Sequence, residues 1–156
     1  MKRASSLKTI LLVALAALAA SLIPQRIAVT LTPSVRHRIY LLDRAPEKQN
    51  ISKTSYVLLR IDSKYLGGAR ITIKQVACRE GDTLRVEEAR YYCNNVYLGK
   101  AKAFSLKGER VGHFNYDGVI PADDLFVFAD HPDSFDSRYF GFVRKDDVLA
   151  IAYPIF

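Results

Sequence analysis

Apolar residues are distributed in two ways along this chain. Residues 10–23 are apolar almost without a break, with only Ser21 interrupting, and Pro24, Gln25 and Arg26 close the run. Beyond Arg26 the apolar positions come in short runs or alternate with polar ones, punctuated by Gly, Pro, Asn and Asp. That spacing predicts strands over 27–32, 39–42, 56–61, 70–77, 83–86, 94–99, 125–129 and 148–153. Turns are expected at Gly67-Gly68, Gly81-Asp82 and Asp117-Gly118, a polar loop over 43–54, and an excursion forming a hairpin over 100–118. No stretch beyond Arg26 repeats its apolar positions about every 3.6 residues, so helix content there should be low. The expectation is a mostly β fold, a sandwich or barrel-like body at residues 27–156, preceded by an N-terminal membrane helix at residues 1–26.

Charge refines the first segment. Lys2, Arg3 and Lys8 precede the apolar run, which predicts that its N-terminal side stays in the cytoplasm. The run is short for a membrane helix unless Lys8 snorkels, and the small-x-small triplet Ala17-Leu18-Ala19 also suits a cleaved signal peptide. Either way the body is expected on the exported, periplasmic side, held at the inner (cytoplasmic) membrane when the segment is retained. Net charge is +7, and the three leading basic residues leave about +4 for the body. That is too mild for nucleic acid, and no aromatic-basic recognition pattern accompanies it. Anionic headgroups of a lipid bilayer are the better match. Export also gives a meaning to Cys78 and Cys93, the only cysteines, 15 positions apart. An oxidising compartment favours joining them, and a disulfide closing such a loop contributes about 3 kcal/mol. Two cysteines without a further Cys or His motif make a poor metal site, and the chain carries no cofactor motif.

Three places carry candidate chemistry. Ser34 lies eight residues past Arg26, with Pro33 fixing the backbone before it and Thr32 able to aim a hydroxyl at the same point. In the alternating stretch 70–77, Lys74 shares a face with Thr72 and Val76, while Ile71 and Ile73 face the other way. Partial desolvation at such a position lowers the pKa of a lysine. A fall of about three pH units would cost roughly 4 kcal/mol of folding stability at neutral pH, so it needs a functional reason. The reason would be a neutral amine that takes a proton from a serine. The third place is 130–143, a loop between two apolar strands that collects Asp130, Asp133, Asp136 and Arg138 beside Ser134 and Ser137. Asp136 and Arg138 are expected to brace one loop shape, with Ser134 orienting Lys74. Together these suggest a Ser-Lys dyad. Ser34 would be the nucleophile, Lys74 the general base and then the general acid, and the Ser34 N–H with the Thr32 hydroxyl the oxyanion hole. The bland alternatives are a Ser/Thr/Pro strand end, a lysine on the wet face of an edge strand, and a solvated loop with a weak surface ion pair.

The same segments, in order, resemble the signal peptidase I superfamily, and within it the conjugative-transfer (TraF-like) peptidases that mature pilin precursors. Thr32-Pro33-Ser34, with Tyr40 six residues on, resembles the nucleophile box. Ile73-Lys74-Gln75-Val76-Ala77, followed by Gly81-Asp82, resembles the lysine box. Ser134-Phe135-Asp136-Ser137-Arg138-Tyr139-Phe140-Gly141 resembles the last box residue for residue. Transfer peptidases commonly carry a proline and a glycine where this chain has Arg36 and Arg38, which bears on the substrate-binding edge more than on the chemistry. The resemblance implies a signal-peptidase-like, β-rich serine endopeptidase that binds an extended substrate as an added strand, with shallow pockets for small residues before the scissile bond. The implied partner is an exported precursor, a conjugative pilin subunit or a leader peptide.

Two other readings compete. A general signal peptidase with broad substrates is the runner-up, disfavoured by the small body. A catalytically silent scaffold of a conjugation or secretion apparatus is the alternative from another class. A Ser-His-Asp hydrolase would have to recruit His37, His113 or His131, and no Gly-x-Ser-x-Gly elbow exists.

Overall fold

The computed structural model describes residues 2–31, 34–44, 46–47 and 51–155. Its first element is helix α1 (Lys2–Arg26), built from a run rich in Ala and Leu, both strong helix formers. Its described side chains, residues 7–18 and Arg26, are all exposed. Among the described residues, no helix is long and apolar enough to cross a membrane. The chain then turns directly into β1 (Ile27–Val29).

The body is β-rich. In order follow β2 (Ile39–Asp43), β3 (Tyr56–Ser63), β4 (Gly68–Arg79), β5 (Thr83–Glu87), β6 (Arg90–Cys93) and β7 (Val96–Lys100). Then come β8 (Asp117–Val119), β9 (Asp124–Phe128), a one-turn helix α2 (Ser137–Phe140), β10 (Val143–Arg144) and β11 (Val148–Pro154). Seven strands form one antiparallel sheet in the order β1-β2-β11-β3-β4-β9-β10, and four form a second in the order β7-β6-β5-β8. Both faces of the larger sheet are apolar. Tyr40, Leu42, Leu58, Ile73, Ala150 and Ala152 make one cluster, and Val57, Leu59, Val76, Val127 and Ile151 another. A third cluster, with Leu84, Tyr91 and Phe126, ties in the second sheet, and the disulfide Cys78–Cys93 lies within it with a Cα–Cα distance of 5.9 Å.

Three local expectations are corrected. β6 occupies residues 90–93, where the spacing predicted no strand: only four residues long, it offers two buried positions, Tyr91 and Cys93, which is too few to register as alternation. The stretch 130–143 is not wholly a loop, because α2 forms inside it; a single turn has no 3.6-residue period to detect. The hairpin expected over 100–118 amounts to one isolated bridge, Phe104 with Arg110, before β8 begins.

β4 organises the site. Residues Gly68 to Gln75 pair with β3, and Gln75 to Arg79 pair with β9, with a bulge between Val76 and Cys78. Lys74 is therefore the last residue before β9 takes up the strand's second edge. From Gly68 to Lys74 that edge has no partner strand among the described residues.

Candidate active site

Lys74 stands opposite Val57 across the β3–β4 ladder, and register partners share a face. Val57 is wholly buried and Val76, two residues on, is 1% exposed, so the lysine shares an apolar face. Lys74 itself is only 3% exposed, which corrects the wet-face alternative. A buried ammonium loses its hydration, and burial pulls the Lys74 pKa down to about 8. The nearby Asp136 carboxylate opposes that fall and the Arg138 guanidinium adds to it. The Lys74 Nζ donates to Ser134 Oγ at 2.5 Å, which fixes where the amine points.

Ser134 is delivered by a segment braced from several sides. Its N–H donates to His131 O at 3.0 Å. Asp136 caps α2, accepting from the Arg138 N–H at 3.2 Å, and its other oxygen accepts from the Ala129 N–H at 3.2 Å. The Arg138 guanidinium grips both carboxylate oxygens, Nε to Oδ1 at 2.8 Å and Nη2 to Oδ2 at 2.7 Å. Far from being a surface pair, Asp136 is 0% and Arg138 2% exposed. The guanidinium also lies 4.7 Å over the Phe128 ring and donates to Lys100 O at 3.2 Å. Ser137 accepts from the Val127 N–H at 2.9 Å, riveting α2 to β9. Gly141 ends the turn at φ +83°, and a Cβ there would meet Phe114 at 2.9 Å, so both conformation and space demand glycine. Such bracing suits a segment that must hold one amine in one place.

Ser34 sits in the neighbouring cleft, of about 330 Å³, lined by 28–31, Val35 and 70–73. Ile73, in that lining, immediately precedes Lys74. Unbroken runs of lining residues are what strand edges, not strand faces, present. The segment bearing Ser34 is held in shape: Thr30 N–H donates to Arg38 O at 2.9 Å, its hydroxyl donates to His37 O at 3.1 Å, and Val35 is buried beside Ile73 and Ala129. Arg36 and Arg38 are exposed and outside the cleft lining, so they leave its floor unchanged. Thr32, expected to help form the oxyanion hole, and Pro33 lie outside the described residues. The structure thus brings Lys74 to Ser134 and Asp136 to Arg138, while Ser34 and Ile73 line one cleft whose described lining does not include Lys74.

Further residues support the site, some named in sequence only by resemblance or as a turn. Tyr40 is fully buried, with its ring 5.3 Å from Tyr56 and 6.3 Å from His37, and roots the Ser34 segment in the core. Burial, reinforced by Tyr56, pushes its phenol up to about 12. The Tyr91 hydroxyl lies 2.7 Å from both Arg138 O and Phe114 O, tying α2 to the second sheet. Asp82 is a turn anchor, accepting from the Arg79 N–H and Asn94 Nδ2 and pairing with Lys53 at 2.9 Å. The histidines serve otherwise: His131 Nδ1 accepts from the Asp133 N–H, and His37 packs 5.9 Å from Tyr56. The pairing of the Tyr91 hydroxyl across 23 and 47 residues has no signal in the sequence.

A β-rich body thus surrounds a buried lysine whose amine burial drives toward neutrality. The chain matches the family model described as signal peptidase, peptidase S26, over residues 2–156, and it belongs to that family of serine endopeptidases. Among solved structures, a signal peptidase I from Enterococcus faecalis is similar, with 23% identity, a TM-score of 0.40, and coverage of 64% of this chain and 94% of that one. A comparison with curated proteins found no match.

Proposed function

We propose that this protein is a membrane-anchored endopeptidase with a Ser34–Lys74 dyad that cuts exported precursors, and specifically a conjugative pilin or its leader. The observation that carries the reading is Lys74, 3% exposed, held at 2.5 Å by Ser134 and with its pKa lowered to about 8. A lysine in that state supplies a neutral amine near physiological pH, which an ordinary lysine does not. As the Ser34 Oγ attacks the scissile carbonyl, its proton passes to Lys74 Nζ. The tetrahedral oxyanion is met by the Ser34 N–H and the Thr32 hydroxyl. Collapse breaks the C–N bond, and Lys74 returns the proton to the leaving amine. Water then attacks the acyl-enzyme by the same route, with Lys74 again the base.

The substrate strand enters between the 28–31 and 70–73 edges, which have no partner strand among the described residues and accept an extended chain by strand addition. The cleft between them is small, which supports small side chains before the cut. Anchoring rests on α1: its described side chains are exposed and include Leu7, Ile10, Leu11, Leu12, Val13, Leu15 and Leu18, an apolar surface that calls for lipid rather than water. The body then lies on the exported side of the inner membrane. The pilin assignment rests on the last box and its resemblance to transfer peptidases. The test is mass spectrometry of a pilin precursor co-expressed with wild type, Ser34→Ala or Lys74→Met. Wild type should shorten the precursor and both variants should leave it intact. Equal processing by the variants would sink the dyad.

A further inference from the structure

An open groove of about 1200 Å³ lies between β7, the 101–113 excursion and the 128–132 turn. It continues into a cleft beside the segment that follows Lys74. A smaller cleft lined by Gln75 and Val76, the residues that follow Lys74, shares Tyr97, Leu98, Phe128 and Asp130 with it. Four consecutive β7 residues, 97–100, line the groove, as happens when a strand presents its edge. β7 is an outer strand of the second sheet, so that edge has no partner strand among the described residues. Gly99 makes the close fit possible: a Cβ there would meet Phe128 at 3.1 Å and Arg138 at 3.4 Å. Phe104 and Val111 supply apolar wall.

The charges are lopsided. Lys102 is neutralised by Asp133, but Lys100 and Arg110 are exposed and make no ion pair among the described residues. Asp130, at the end nearest Gln75, is the lone acid in the lining. Under the peptidase reading above, residues before the cut occupy the 28–31 and 70–73 cleft. The chain after the cut must therefore leave past Lys74 and Gln75, which is toward this groove.

We propose that the groove holds the precursor segment that follows the scissile bond, extended along the β7 edge and favoured when it carries acidic side chains among small apolar ones. This rests on the peptidase reading. The probes are short peptides with a free N-terminus, alternating Ala with Glu, with Lys or with Gln, titrated calorimetrically into full-length Ser34→Ala protein in detergent. The Glu peptide should bind about tenfold tighter than the Lys peptide, the equivalent of two modest ion pairs. Lys100→Gln with Arg110→Gln should erase the preference, and Lys100→Glu with Arg110→Glu should reverse it; all these side chains are exposed, so the fold is not at stake. Equal binding of the peptides, or a preference unmoved by the substitutions, overturns the proposal. So does the absence of peptide binding alongside binding of phosphatidylglycerol vesicles that depends on Lys100 and Arg110, which would assign the groove to lipid headgroups. No preference among the peptides in the Ser34→Ala protein, while cleavage by wild type still needs Ser34 and Lys74, overturns the groove alone. Cleavage indifferent to Ser34 and Lys74 overturns the peptidase reading and the named occupant with it.

Discussion

Replacing Lys74 with methionine should make the protein more stable and inactive at once. Met matches the length of the lysine stem but has no charge to desolvate. Burial lowers the Lys74 pKa from 10.5 to about 8, so below pH 8 the folded state carries an ammonium it disfavours. At about 1.4 kcal/mol per pH unit, that costs roughly 3 kcal/mol. Losing the bond to Ser134, itself only 4% exposed, gives back about 1 kcal/mol. The net gain is about 2 kcal/mol, or a Tm rise of roughly 4–8 °C for a chain of this size. The sign follows from proton counts. Between about pH 8 and 10.5 the unfolded lysine keeps a proton that the folded one has released, so wild-type stability climbs with pH across that window. The advantage of Lys74→Met should therefore be full below pH 8 and gone by about pH 10.5. Thermal unfolding of both proteins in the same detergent, from pH 7 to 10.5, reads the effect. A variant less stable than wild type at neutral pH, or a difference that does not change with pH, would refute the reasoning.

The other expectations concern activity and the bracing around it. Because the neutral amine is the working form, kcat/KM for precursor cleavage should rise about tenfold per pH unit up to about pH 8 and then level off; a flat profile would contradict a lysine base. Ser134→Ala should lower kcat roughly ten- to hundredfold with little change in KM, since it frees the amine without touching the cleft, and steady-state kinetics separates the two. Asp136→Asn should destabilise by about 3–5 kcal/mol in chemical denaturation, because it strands the buried Arg138 guanidinium. Cys78→Ser with Cys93→Ser should cost about 3 kcal/mol, seen as a Tm lower by roughly 6–12 °C.

Most of the body was legible because its strands follow short-range rules. Alternation and Gly/Pro punctuation located β3, β4, β9 and β11 to within a few residues. The same alternation put Lys74 on the face of Val76, which is where the β3–β4 register has it. What the sequence withheld was long-range. That β4 becomes an inner strand just past Lys74, from Gln75 onward, depends on β9, about fifty residues later, and on a bulge that no local pattern announces. The expectation that Asp136 and Arg138 brace one loop shape carries no sign of how deeply they are buried, because two charges at i and i+2 usually lie on a surface. Their surroundings come from Phe128, Lys100 and the Tyr91 hydroxyl, brought in from three strands, two of them in the second sheet. β6 and α2 were too short for any period to reveal them. The groove beside β7 was invisible for the same reason, since its walls come from three separated segments.

The most direct test of the dyad is covalent. A serine-directed fluorophosphonate added to full-length protein in detergent, followed by peptide mass mapping, should give one adduct, on Ser34, forming faster as pH rises toward about 8 and lost in Lys74→Met. An adduct on Ser134 or elsewhere, or Ser34 labelling that is unchanged without Lys74, would contradict a Ser34 nucleophile activated by a buried lysine.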